Sequence, residues 1–140
     1  MEDIIGRPIA VVRLIVPDDR GRVLLLQRAH TKYAAGDWCL PGGKIDFGAT
    51  VEETVRKELQ EETCLECTQS RFLFYQNSLP PTPDGMHCIN FYFECLTRGV
   101  VELNPESSNH HWLTREEIAS YKIAFRNEEG LKIYWGASSA

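Results

Sequence analysis

The sequence lacks long apolar runs, a basic excess and a basic leader, and each absence excludes a class of protein. No stretch approaches the roughly 20 consecutive apolar residues that span a bilayer, so we expect no membrane partner. The segment from Met1 to Ile5 is acidic and no apolar core follows it, unlike a secretory signal. The chain has 15 Lys and Arg residues but 20 Asp and Glu residues, which gives a net charge of −5. We therefore expect no duplex nucleic acid as partner.

Disulfide staples are also not expected. Five cysteines is an odd number, and a chain of 140 residues can bury a sufficient core without cross-links. We therefore expect reduced thiols and a cytoplasmic location. A content of 43% hydrophobic and 25% charged residues is typical of a globular protein. With no repeat and no linker in view, we predict one domain over residues 1–140, with a frayed tail from Gly136 to Ala140.

The residue patterns predict a mixed α+β fold. A capping box formed by Thr50 and Glu53 predicts a helix from Val51 to about Thr63, and Thr114 with the acidic residues after it predicts a second helix. The order of elements indicates a mixed sheet with helices packed on it. The predicted strands are Ile9–Val16, Val23–Gln27, Arg71–Gln76, Ile89–Cys95 and Val100–Leu103, with a short extended piece at Trp38–Gly43.

The helix predicted from Val51 to Thr63 turns its acidic residues in an unusual direction. On a wheel of about 100° per residue, its valines and Leu59 define the face towards the core. Glu58 and Glu62 fall within or beside that face, and Glu61 lies at its edge. Surface charges normally point the other way, so these three carboxylates need an explanation.

Two explanations of the carboxylates stay open at this point. A solvated acidic run is the commoner one, and the spacing of the three residues alone does not exclude it. However, the like-charged pair Glu58 and Glu62 costs about 0.2–0.5 kcal/mol even on an exposed helix, and several kcal/mol more when buried. A cation would offset this cost, and hard oxygen ligands suit Mg²⁺ or Mn²⁺.

The loop before this helix contains the sequence Pro41-Gly42-Gly43. Glycines let backbone carbonyls and amides approach a metal or a phosphate closely. A plain turn before a helix is the alternative interpretation of the same residues. The glycines therefore add weight only together with the carboxylates.

Together these residues carry a resemblance to a known family. The segment from Gly43 to Leu65 resembles the Nudix box, G-x5-E-x7-R-E-U-x-E-E-x-G-U, where U is aliphatic. Trp38–Gly43 is similar to the family's W-x-L-P-G-G, and His111–Thr114 to its late tryptophan before a helix cap. The resemblance covers about Pro8 to Ile118 and implies the Nudix fold, an α/β/α sandwich whose mixed sheet is flanked by helices. The box positions that are kept are Gly43, Glu58, Leu59, Glu61, Glu62 and Leu65.

Three positions depart from the family pattern. Ala49 stands where the family has Glu, and Lys57 stands where it has Arg. In the family this pair braces the loop and helix around the metal, and lysine lacks the bidentate fork of arginine. Cys64 replaces a glycine at the helix end, where a left-handed residue is common, so we expect a strained or rerouted helix exit.

The resemblance implies hydrolysis of a nucleoside diphosphate linked to another group, by water and Mg²⁺ or Mn²⁺. Carried over, Glu58 and Glu62 are the main metal ligands and catalytic residues. Glu61 joins them directly or through water, and the carbonyl of Gly43 or Gly42 adds a ligand. The expected partner is a small nucleoside diphosphate derivative (a nucleoside triphosphate, nucleotide sugar or ADP-ribose), and whether the chain forms a homodimer stays open.

Substrate contacts are assigned to Arg28, Lys44 and Phe47. Arg28 fits either a phosphate contact or a structural salt bridge. Phe47 is a candidate for stacking on a base, as are Tyr33 and Tyr75, although we expect at least two of these three rings simply to pack.

The general base is left open among the residues that the family pattern brings near the metal. The candidates are a glutamate of the box, Glu106, His110 and His111, and either histidine is more often plain polar surface.

Two rival functions stay open. Cys64 and Cys67 form a C-x-x-C pair that, with His87 and Cys88, would make a zinc-stabilised binding module, but the paired second half at the usual spacing is missing. The stronger rival is a Nudix-fold domain that binds a nucleotide without cleaving it, because the Glu–Arg brace has changed.

Overall fold

The computed structural model describes residues 6–29 and 34–138. The predictions for Met1–Ile5, for Tyr33 and for the last two residues therefore lie outside the described residues. No helix in the described ranges is long and apolar enough to cross a membrane. The strands are β1 (Pro8–Ile15), β2 (Val23–Arg28), β3 (Trp38–Cys39), β4 (Gly42–Lys44), β5 (Glu66–Ser78), β6 (His87–Arg98) and β7 (Ser107–Leu113), and the α-helices are α1 (Val51–Thr63) and α2 (Asn127–Ser138).

The strands form two sheets. The four-stranded sheet has the order β4-β1-β6-β5, and it is mixed because β1 and β6 are parallel while the other pairs are antiparallel. The three-stranded sheet has the order β3-β2-β7 and is antiparallel. The longer strands that the sequence predicts are thus confirmed, apart from the one predicted at Val100–Leu103. Strands β5 and β6 extend at both ends beyond the aromatic segments that predicted them.

Alternation along the strands creates two apolar layers. Val12 and Leu14 of β1 pack into one core cluster together with Val55 and Leu59 of α1. Ile15, on the opposite face, packs into a second cluster that includes Leu131 of α2. Since successive side chains of a strand point to opposite faces, the helices cover the two sides of the strands. The predicted α/β/α arrangement is confirmed.

Helix α1 begins and ends as its sequence predicts. The Thr50 Oγ1 accepts a hydrogen bond from the Glu53 N–H (3.1 Å), and the Glu53 Oε1 accepts one from the Thr50 N–H (2.9 Å). The helix ends at Cys64, which adopts the left-handed conformation with φ = +61°. A residue with a β-carbon therefore occupies a backbone position that favours glycine.

The predicted strand at Val100–Leu103 is wrong. Val100 is exposed, and the Glu102 N–H donates to the Thr63 carbonyl (2.9 Å), so this segment covers the end of α1. The strand lies later, at Ser107–Leu113, where pairing with β2 outweighs the weak strand preference of its polar residues.

The second predicted helix is also wrong in place. Thr114 and Glu117 make reciprocal hydrogen bonds (2.9 and 3.3 Å), yet they open only a single 3-10 turn, Glu117–Ser120. The chain then extends along Trp38, whose N–H donates to the Lys122 carbonyl (2.9 Å), before α2 begins at Asn127. The tail predicted to fray from Gly136 is helical as far as Ser138.

Candidate active site

The acidic residues of α1 differ sharply in exposure. The side chain of Glu62 is buried, with 8% of its surface exposed. Glu58 is half-buried, and Glu61 is exposed. The helical wheel therefore predicts correctly that Glu58 and Glu62 point towards the interior of the protein.

Glu58 and Glu62 meet as a pair of carboxyl groups. Their side chains are hydrogen-bonded to each other, and the Gly42 N–H donates to the Glu62 Oε2 (3.3 Å). Burial and the neighbouring Glu58 raise the pKa of Glu62 far above its ordinary range, and burial raises the pKa of Glu58 as well. Two carboxylates in this position ionise together only when a cation compensates them.

Gly43 leaves the space in which the Glu58 carboxyl group lies. A β-carbon at this position would lie 2.6 Å from the Glu58 Cδ and 2.7–2.8 Å from its two oxygens. The neighbouring Gly42 has no room either, since a β-carbon there would overlap the Val12 carbonyl oxygen. The two glycines of β4 are therefore required by the close approach of the backbone to α1 and β1.

The donor set fits a hard divalent cation. Carboxylate oxygens and a nearby backbone carbonyl are the ligands that Mg²⁺ and Mn²⁺ prefer. Within residues 6–29 and 34–138, no three His, Cys, Asp or Glu side chains are grouped closely enough to hold a metal ion by themselves. The site therefore offers a carboxylate pair, and its remaining ligands would come from Glu61, the Gly43 carbonyl, water or a substrate phosphate.

The loop before α1 is tied to the helix by a residue that the sequence analysis missed. The Lys57 Nζ lies 3.2 Å from the Asp46 Oδ2, and both side chains are more than half exposed. Ala49 takes part only through its backbone, with its N–H donating to the Asp46 carbonyl (3.0 Å). Asp46 thus supplies an acidic partner for Lys57 from within the same loop. The signal was an acidic residue three positions before Ala49.

The predicted substrate contacts lie at several places around the site. The Arg28 guanidinium lies over the ring of Phe125, with its Cζ 4.8 Å from the ring centre. Lys44 is exposed at the end of β4, and the ring of Phe47 is fully exposed. Tyr75 is also exposed, at 63%. The expectation that at least two of the three candidate rings pack is therefore wrong, since two of them do not.

The candidate bases fall on different faces. Glu106 is exposed, and its charge contributes to raising the pKa of both Glu58 and Glu62. His110 pairs in register with Leu26, whose face carries α1. His111 lies on the opposite face, where its Nδ1 is 3.0 Å from the Tyr121 hydroxyl and its ring is 4.7 Å from that of Trp38. His111 is thus part of an aromatic cluster away from the carboxylates.

The zinc-module hypothesis is wrong on geometry. Cys67 pairs with Thr97 at one end of the β5–β6 ribbon, whereas Cys88 pairs with Ser78 at the other end. At about 3.3 Å per residue, the two thiols are roughly 30 Å apart. All five cysteines are free, and Cys64 is the exposed one.

Sequence reasoning also missed Arg13 and Phe125. Arg13 is buried, with 7% of its surface exposed, and its Cζ lies 4.6 Å from the centre of the Phe125 ring. The available signal was a lone charged residue in the middle of the apolar strand around Val12. Phe125 gave none, because its position depends on the left-handed conformation (φ = +60°) that it adopts before α2.

Comparisons with known proteins show which family the chain belongs to. A family model described as "NUDIX domain" matches residues 7–132. The chain is 28% identical over 135 residues to putative nudix hydrolase 1 of Caenorhabditis elegans, covering 95% of this chain but only 35% of that protein. It is 30% identical to nucleoside triphosphatase NudI of Enterobacter sp. (strain 638), covering 71% of this chain and 78% of that protein.

Two further matches extend the comparison. The chain is 29% identical to ADP-ribose pyrophosphatase of Methanocaldococcus jannaschii, covering 90% of this chain and 72% of that protein. The crystal structure of a MutT protein from Methanosarcina mazei superposes with a TM-score of 0.73 at 26% identity, covering 82% of this chain and 83% of that one. The fold and the family pattern thus coincide over most of the chain.

Proposed function

Because this chain belongs to the NUDIX family, we propose that it is a Mg²⁺- or Mn²⁺-dependent pyrophosphohydrolase that cleaves a nucleoside diphosphate linked to another group. The observation that carries this proposal is the inward-facing pair Glu58 and Glu62, hydrogen-bonded to each other beside Gly42 and Gly43. Such a pair has no evident structural purpose, since buried like charges destabilise a fold. Its chemistry suits a cation that receives phosphate oxygens.

The roles follow from the position of each group. Glu58 and Glu62 hold the cation, Glu61 contributes directly or through a water, and the Gly43 carbonyl adds an oxygen. A divalent ion bound there supplies a polarised phosphoryl oxygen and a more acidic water for in-line attack. The Gly42 N–H holds the Glu62 carboxyl group, and Gly43 leaves the space that the Glu58 carboxyl group occupies, so both groups lie at the site before a cation binds.

Glu106 is our candidate for the general base. It is an exposed carboxylate whose charge acts on both Glu58 and Glu62, so it lies within electrostatic range of the pair. An exposed carboxylate can accept a proton from an attacking water and return it to solvent. His110 is the second candidate, because its strand register places it on the face that α1 covers.

The names of the relatives indicate the broad class of substrate. Relatives of this chain are named nucleoside triphosphatase and ADP-ribose pyrophosphatase. The substrates in both names contain a phosphoanhydride next to a nucleoside. We propose that Arg28 and Lys44 meet the phosphates and that the exposed ring of Phe47 stacks on the substrate. We place the protein in the cytoplasm, in line with its free thiols.

A nucleotide-binding domain without catalysis is the rival function. The observation that favours it is Ala49, where the family has an acidic partner for residue 57. The Lys57–Asp46 ion pair argues the other way, because it still joins the loop to α1. An exposed pair of this kind is weak, so its effect on the rate needs to be measured.

A panel assay decides between the two functions. A nucleoside triphosphate, a nucleotide sugar and ADP-ribose are each incubated with Mg²⁺, with Mn²⁺ or with a chelator, and the products are separated by chromatography. Our proposal predicts a nucleoside monophosphate from at least one compound, only with metal. Binding of the compounds without any product under either metal would establish the rival.

A further inference from the structure

A cavity lies where β1 and the ends of β5 and β6 meet Phe125, and the charge of Glu62 acts on the Arg13 guanidinium that lines it. Its volume is about 370 Å³, within the range of small-molecule sites, roughly 300–1,000 Å³. The cavity is near the active site because Arg13 of β1 pairs in register with Gly42 of β4, whose N–H donates to Glu62. Its lining includes Arg13, Phe125, Cys88, Leu79, Pro81 and Met86.

Arg13 is held rigidly at this cavity. Its Nε donates to the Asn90 Oδ1 (3.2 Å), and its guanidinium lies over the ring of Phe125. Asn90 is fully buried and is fixed in turn, because its Nδ2 donates to the Gln76 Oε1 (2.8 Å). Gln76 also accepts a hydrogen bond from the Tyr92 hydroxyl (3.0 Å). The guanidinium is therefore oriented before any ligand arrives.

The terminal nitrogens of Arg13 have no protein acceptor in the part of the chain that the structure describes. Within residues 6–29 and 34–138, the Arg13 side chain forms one hydrogen bond, through Nε, and no carboxylate forms an ion pair with it. Since no fully buried polar side-chain atom of the described residues lacks a hydrogen-bond partner, these terminal nitrogens are open to the cavity. The free edge of the guanidinium thus suits a ligand that brings two neighbouring acceptors.

The residues that line the cavity indicate what kind of ligand would present the two acceptors. Leu79, Pro81, Met86 and Phe125 are apolar, and a compact, highly charged group such as a phosphate would lose its hydration against them. A flat heterocycle fits better, because its ring contacts apolar walls while its edge meets the guanidinium. Phe125 and Arg126 both adopt left-handed backbone conformations (φ = +60° and +58°), which is strain of the kind found at ligand sites.

We propose that Arg13 determines the specificity of the enzyme by selecting a nucleobase whose edge presents two adjacent hydrogen-bond acceptors. Guanine meets this condition with O6 and N7, the pair that arginine commonly contacts in a bidentate manner. Cytosine meets it with O2 and N3. Adenine and uracil place a donor beside each such acceptor, and that donor would face the N–H groups of Arg13. This inference rests on the proposed function, since it assumes that the diphosphate lies at Glu58 and Glu62.

Binding measurements without metal test this selection separately from catalysis. The wild-type protein is titrated by calorimetry with GMP, CMP, AMP and UMP, and with 7-deaza-GMP, which lacks the N7 acceptor. We expect GMP or CMP to bind at least about 10-fold more tightly than AMP and UMP. If GMP is the preferred base, 7-deaza-GMP should lose most of that advantage, and if CMP is preferred, 7-deaza-GMP should bind as weakly as AMP.

Variants of Arg13 connect the preference to this side chain. Arg13→Lys keeps the charge but loses the planar pair of N–H donors, and Arg13→Met keeps only an apolar side chain of similar length. Both should bind the four monophosphates within about threefold of one another. The matched control is Arg98→Met, which removes an exposed arginine that pairs with Glu66 at the far end of β6. It should keep the wild-type preference, and circular dichroism verifies that each variant is folded.

Several results would overturn the inference. They are equal binding of the four bases by the wild type, preference for AMP or UMP, no detectable binding of any of them, and a preference that survives in folded Arg13→Lys. Displacement of GMP by inorganic phosphate at similar concentration would show an anion site instead. A protein that prefers GMP or CMP but releases no product in the panel assay contradicts only the proposed function.

Discussion

The Glu58 carboxyl group lies where a side chain at Gly43 would begin, since a β-carbon there would be 2.6 Å from the Glu58 Cδ. The glycine of the loop and the first inner glutamate of the helix thus form one unit. The loop glycine is needed for the space that it leaves, in addition to any freedom of its backbone.

Gly43→Ala should displace the Glu58 side chain and lower turnover by at least about 10-fold. Glu58 is only half-buried, so its side chain can move and the free energy of unfolding should change by about 1 kcal/mol or less. Steady-state kinetics and thermal unfolding check both values. Gly136→Ala is the control, because a β-carbon there meets open space, and it should leave turnover unchanged.

Glu58→Gln and Glu62→Gln should each lower turnover by at least about 100-fold while the protein stays folded. The amide keeps the shape but loses the charge that holds the cation. In addition, Mg²⁺ should raise the melting temperature of the wild type and not that of either variant. Glu52→Gln, an exposed residue in the first turn of the same helix, should behave like the wild type. A near-normal rate in either inner variant would show that the ligand assignment is wrong.

Restoring the family brace should raise turnover. We expect Ala49→Glu together with Lys57→Arg to increase the rate by more than the product of the two single-variant factors, because the two new side chains can form a bidentate pair. A double-mutant cycle on kcat measures the coupling. Asp46→Asn is the comparison, since it removes the present partner of Lys57. Additive effects, with a lower rate in Asp46→Asn, would mean that the Asp46 tie already replaces the brace.

Cys64→Gly should stabilise the protein by about 1 kcal/mol. Cys64 holds φ = +61°, a conformation that costs a residue with a β-carbon about 1 kcal/mol and costs glycine little. Chemical denaturation measures the difference, and elemental analysis should find negligible zinc in the wild type. Cys67→Ala is the contrast, because Cys67 is buried in the core and its loss should destabilise the fold. Stoichiometric zinc, or a destabilised Cys64→Gly variant, would contradict this account.

The sequence predicted the parts of the molecule that local patterns determine. The limits of α1 follow from the Thr50 cap and from its apolar period, and the inward direction of Glu62 follows from the same wheel. The position of β7 did not follow, since Ser107–Leu113 is polar and becomes a strand only by pairing with β2. Helix α2 was missed for a related reason, because its packing against Tyr92 depends on Gly130, which local rules treat as a helix breaker.

The same limit applies to the candidate site. The carboxylates and glycines stand close together in the sequence, so a pattern connects them. Arg13 and Phe125 are 112 positions apart (125 − 13), and only the folded chain brings the guanidinium over the ring. Contacts of such separation have no local signature, although a single arginine in the apolar strand β1 was a reason to expect a partner.

Hydrolysis in ¹⁸O-labelled water tests most directly the claim that water attacks phosphorus at a site held by Glu58 and Glu62. The substrate that gives product in the panel is cleaved with Mg²⁺, and the products are analysed by mass spectrometry. The account predicts one ¹⁸O atom in a phosphate-bearing product of the wild type and formation of that product at least about 100-fold slower in Glu62→Gln. Label found only outside the phosphates, or an equal rate in Glu62→Gln, would contradict it.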